Sequence, residues 1–135
     1  MIDYQDIIDD VAAQLGIEVP TLNTDQALLP SPTALAGANV DKWDIVIKDG
    51  ILAPDAIFAI AHELRHLWQY KNGWDLAEVK DADISDKEEY NLQEHEVDAN
   101  AFAYNYMLKF GLRPLFNGMS ERVKNAIYKR AEEIK

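Results

Sequence analysis

Two histidines four residues apart, His62 and His66, enclose a glutamate at 63 in the segment His-Glu-Leu-Arg-His. On a helix, residues one turn apart stack on the same face, so both imidazoles can reach one cation. Glu63 lies about 100° around the helix from His62. It can therefore flank a bound ion without ligating it and take a proton from water held there, the role of a general base. Two histidines alone leave a tetrahedral zinc short of a protein ligand, so a third His, Asp or Glu is expected from another element, with one position left for water.

The stretch Glu94-His95-Glu96-Val97-Asp98 holds four candidates for that ligand. On a helical wheel Leu92, Ala99, Ala103, Tyr106, Met107 and Phe110 form an inward apolar stripe, which Glu96 and His95 flank. Glu94 and Asp98 fall toward the opposite face, where a carboxylate is ordinarily solvated. Glu96, thirty residues beyond His66, ranks first and His95 second. Asn100, one turn past Glu96, could accept the N–H of a ligating histidine and fix its tautomer. Tyr90, His95 and Arg65 are possible donors to an oxyanion, although each has a plainer use in packing or at the surface.

Ala-His-Glu-Leu-Arg-His followed by Glu-Val-Asp-Ala-Asn-Ala-Phe-Ala resembles the gluzincin pattern, in which a downstream helical glutamate completes HExxH. Within it, the chain is most similar to the ImmA/IrrE-type metallopeptidases. Glu96, Ala99, Asn100, Phe102 and Ala103 stand at the places of their second motif, Glu-x-x-Ala-Asn-x-Phe-Ala. The resemblance covers roughly residues 55 to 107 and puts the third ligand on Glu96. It implies a zincin-like domain and hydrolysis of a peptide bond in a protein or peptide substrate, with a transcriptional regulator such as a repressor as the analogous target. The glycine and third histidine that follow HExxH in astacin-like enzymes are absent. The rival reading is a non-catalytic interaction module of the same fold, which has no need of a base at Glu63.

Helices must position these groups. Ile57, Ile60, Ala61, Leu64, Leu67 and Trp68 lie on one side of the motif helix and the histidines on the other, so the core does not need the histidines. Pro54 suits the first turn of this helix, which should run to about Tyr70 before Asn72-Gly73. Ser85 with Glu88 has the capping-box pattern for a helix reaching about Phe110, ahead of Gly111 and Pro114. Ile7, Ile8, Val11 and Leu15, stopped by Gly16, mark a helix over residues 2 to 15. Ser120 can cap a last helix to about Ile134, with Val123, Ile127 and Tyr128 as its few apolar positions. Trp43 to Lys48 alternates like a short strand and meets the turn Asp49-Gly50. The gluzincin resemblance implies that such a strand edges the cleft and pairs with an extended peptide. Residues 17 to 41, with Pro20, Pro30 and Pro32, should be mainly loop.

The expected whole is one α+β domain over 1–135: mainly helical, with two or three short strands beside the HExxH helix. At 135 residues the chain suffices for one core, and its 48% apolar and 27% charged content is that of a folded protein. A net charge of -11 repels phosphate backbones and argues against direct nucleic-acid binding. With no cysteine, any metal must be held by His, Asp or Glu, and an oxidising compartment is not called for. No basic, apolar leader and no stretch of membrane-spanning length is found, so a cytoplasmic location is expected.

Overall fold

A computed structural model of the chain describes residues 3–31, 33–76 and 87–135. The first helix, α1 (Tyr4–Leu15), begins where the Asp3 carboxylate accepts from the Gln5 N–H. It ends at Gly16, whose φ of 67° turns its N–H back onto the carbonyls of Ala12 and Ala13. A side chain is rarely tolerated in that left-handed conformation, which is why the glycine makes the stop.

Three short strands follow: β1 (Thr21–Asn23), β2 (Ala36–Asn39) and β3 (Asp44–Ile47). They form one sheet in the order β1-β3-β2, with β1 parallel and β2 antiparallel to β3. β3 is the segment whose alternation predicts a strand, and Ile45, Val46 and Ile47 are all buried in the middle of the sheet. The region expected to be mainly loop supplies both flanking strands and a 3-10 turn at Gln26–Leu28. Ala-Gly-Ala-Asn has little β-propensity of its own and Thr-Leu-Asn only that of its threonine; pairing with β3 makes them extended.

The motif helix, α2 (Ala53–Lys71), carries Pro in its first turn and closes at Asn72. Ile57, Ile60, Ala61, Leu64 and Leu67 are buried against α1, the sheet and the later helices. Each fully buried Leu or Ile contributes about 1.5–3 kcal/mol, so this face alone anchors the helix. The helix expected over residues 85 to 110 is divided at Leu92 and Gln93 into α3 (Lys87–Asn91) and α4 (Glu94–Leu108). Ser85, its expected cap, lies outside the described residues. The last helix, α5 (Glu121–Glu133), begins where Ser120 Oγ accepts from the Val123 N–H, as its sequence predicts.

α4 is the central helix. It packs on α2 along one side and on α5 along the other, and so belongs to both apolar clusters. Of its fifteen residues ten are buried, among them His95, Glu96, Asp98 and Asn100, so it has no broad solvated face. No described helix is long and apolar enough to cross a membrane.

Candidate metal centre

Burial of the apolar side of α2 fixes the phase of that helix, and the side chains of His62 and His66 converge with Glu96 of α4. His66 Nε2 lies 3.0 Å from His62 Nε2 and 3.0 Å from Glu96 Oε2, and His62 Nε2 lies 3.4 Å from Glu96 Oε1. Donors bound tetrahedrally to zinc at 2.0–2.1 Å stand about 3.3 Å apart, so these separations suit a single ion at their centre. The donor set, two imidazoles and a carboxylate, is also one that zinc accepts. Among the described residues this is the group of His, Asp and Glu side chains close enough to share a metal ion.

The electrostatics favour positive charge at this point. Burial by itself would lower the pKa of His66, but the hydrogen bond to Glu96, the charges of Glu63 and Glu96, and Gln69 together raise it to about 9. Burial would raise the pKa of Glu96, yet the hydrogen bonds and charges of His62 and His66 hold it well below the usual carboxylate range. A proton on the histidines or a cation between all three groups answers the same field.

These side chains open onto a cleft of about 700 Å³. Glu63 lines it beside the two histidines, as the helix phase requires, and its charge is felt by both His66 and Tyr90. Tyr90 also lines the cleft; burial, Glu96 and Glu63 push its phenol up to about 12, so it keeps its proton at neutral pH. The facing wall is β2 with the loop before it, including Pro30, Ala36, Gly37 and Ala38. A Cβ on Gly37 would sit 2.8 Å from Pro30 Cδ, so the close fit of this wall depends on glycine.

The strand expected at the cleft edge is therefore misplaced. β3 is flanked on both sides, by β1 and β2, and among the described residues β2 is the edge strand that borders the cleft.

His95, second in rank as a ligand, is buried at the cleft with Nε2 3.6 Å from Glu96 Oε2, outside the cluster of three. Glu94 is exposed, as expected. Asp98 is not the solvated carboxylate its place on the wheel implied: it is 1% exposed. Arg65 grips it with Nε at 2.8 Å and the terminal nitrogen at 3.0 Å, and Arg130 of α5 adds two contacts at 2.9 Å. These hydrogen bonds outweigh burial and depress its pKa. The expectation fails because Asp98 sits between two neighbours of α4: Arg65 and Gln69 reach it from α2 and Arg130 from α5. Arg65, committed to Asp98 and stacked on Trp68 at 3.7 Å, is thereby removed as an oxyanion donor.

The residue that sequence reasoning missed is Gln69, fully buried one turn beyond His66. Its amide, not that of Asn100, meets His66, with Oε1 2.8 Å from Nδ1. Its spacing of three from His66 puts it on the same helix face, which was the available signal. Comparison of the chain with family models, with curated proteins and with solved structures finds no match.

Proposed function

We propose that the chain is a zinc-dependent peptidase that hydrolyses a peptide bond in a protein substrate. The observation that carries this reading is the convergence of His62, His66 and Glu96, with ligating atoms 3.0–3.4 Å apart, at a cleft that Glu63 also lines. His62, His66 and Glu96 would hold the ion. Zinc held there would supply Lewis acidity toward a carbonyl and toward the attacking water. Glu63 accepts the proton of the attacking water and passes it to the leaving nitrogen. Tyr90, which lines the same cleft and keeps its proton, would donate a hydrogen bond to the carbonyl oxygen as it gains charge. β2 offers a strand edge on the opposite wall, which suits an extended backbone and tolerates many side chains. The similarity of the two motifs to the ImmA/IrrE-type metallopeptidases directs the choice of substrate to regulatory proteins such as repressors.

Glu63→Gln separates the base from the metal, because an amide keeps the shape of the carboxylate but cannot take the proton at neutral pH. Zinc-loaded wild type and Glu63→Gln are incubated with candidate repressors and with a library of extended peptides, and products are read by mass spectrometry. Cleavage by wild type alone is expected, with zinc content equal in both. Equal cleavage by both would remove Glu63 from the mechanism. Binding by both without cleavage by either would favour the non-catalytic interaction module.

A further inference from the structure

Gln69 occupies the space between the metal cluster and the buried ion pairs behind it, and all of its amide is used. Nε2 donates to the His95 carbonyl at 2.9 Å and to Asp98 Oδ2 at 2.8 Å. Both partners are pure acceptors: a backbone carbonyl, and a carboxylate kept ionised by Arg65 and Arg130. Turning the amide over would aim its oxygen at two other oxygens, so the orientation is set by the acceptors rather than chosen freely. Oε1 therefore faces His66 Nδ1, at 2.8 Å, and an amide oxygen can only accept.

We propose that Gln69 is a positioning residue that holds the proton of neutral His66 on Nδ1 and so presents the Nε2 lone pair to the metal position. Neutral imidazole carries one N–H, and the nitrogen opposite it is the one able to ligate. Nε2 of His66 is the atom that points at His62 and Glu96. Asp98, Arg65 and Arg130 act through Gln69: the chain of contacts runs from α5 across α4 to the ligand on α2. His62 differs, since its buried Nδ1 has no hydrogen-bond partner among the described residues. His66 is thus the pre-set ligand of the pair. The inference rests on the metal-centre reading for its purpose, but not for its first measurement.

That measurement is a long-range 1H–15N correlation spectrum of metal-free Glu96→Ala protein labelled in histidine, over a rising pH series until the His66 ring is neutral. The substitution removes the carboxylate 3.0 Å from Nε2, which otherwise competes with Gln69 for the proton. With Gln69 in place the ring is expected to show Nδ1 protonated and Nε2 bare. Adding Gln69→Met, similar in length and without hydrogen-bonding groups, is expected to move the proton wholly or partly to Nε2. In protein that keeps Glu96, Gln69→Met should lower zinc affinity, measured by chelator competition, by about 10–100-fold, the usual cost of losing the partner of a ligating histidine. A ring with its proton on Nε2 beside Gln69 overturns the proposal. Unchanged zinc affinity in Gln69→Met overturns it as well, whether or not the double variant folds. A ring protonated on Nδ1 beside Gln69, when the protein with Glu96 binds no zinc, leaves the role of Gln69 standing and overturns the metal-centre reading instead.

Discussion

Two carboxylates two residues apart on α4, Glu96 and Asp98, are both buried and both held ionised, yet they face different charges. Glu96 meets two imidazoles and Asp98 two guanidiniums. An imidazole can give up its proton to make room for a metal, whereas an arginine keeps its charge at any ordinary pH, so only Glu96 is available as a ligand. Glu96→Gln should weaken zinc binding by more than about 100-fold, beyond the range seen for outer partners of a metal site. The exposed Glu94→Gln should leave it unchanged. Competition with a chelator measures both, and equal affinities in the two variants would move the third ligand elsewhere. His62, Glu63, His66 and Glu96 were legible because their relation is helical spacing plus the flank of an apolar stripe, both local properties. Asp98 was not legible: its partners, Arg65 and Gln69 on α2 and Arg130 on α5, lie about 30 residues away on either side and arrive only when the helices pack. Gln69 was likewise hidden, because its partners on α4 come from another element.

Among the elements, helix ends were readable wherever a side chain or a glycine makes the end by itself, as at Gly16, Pro54 and Ser120. The sheet was readable only at β3, whose residues carry β-propensity; β1 and β2 take their shape from it. The contact between α1 and α4 was equally invisible, since it joins residues 96 apart: the Tyr106 hydroxyl donates to Asp10 Oδ2 at 2.6 Å. Burial and this bond to a carboxylate hold the Tyr106 phenol above its ordinary value. Tyr106→Phe should therefore cost about 1.5 kcal/mol, the lower range for a hydrogen bond to a charged group, because the released Asp10 can turn to water. The sign with pH follows from the raised folded pKa. The contribution is complete below the unfolded phenol's pKa of about 10 and is lost as pH rises through the folded value. Urea unfolding at pH 7 and in the alkaline range should show wild type and Tyr106→Phe converging as pH increases. A difference that persists undiminished at high pH would mean that the bond is not the cause.

For the molecule as a whole, the proposed ligands come from α2 and α4, the two helices that carry most of the larger apolar cluster. A cation bound between them is therefore coupled to global stability and not merely to a loop. If it binds the folded chain and not the unfolded one, free zinc at 100 times its Kd stabilises by about 2.7 kcal/mol. For a chain of this length each kcal/mol corresponds to a shift of roughly 4 °C in Tm, so an upward shift of about 10 °C is expected. Thermal unfolding with excess zinc and with a chelator measures it. Glu63→Gln should keep the whole shift, because Glu63 lines the cleft without belonging to the cluster, while Glu96→Gln should lose most of it. Magnesium, which prefers an octahedral shell of oxygen ligands, should produce almost none. A wild-type Tm that does not respond to zinc would show that the cluster holds protons rather than metal. A zinc response retained in Glu96→Gln would instead locate the bound ion away from α4.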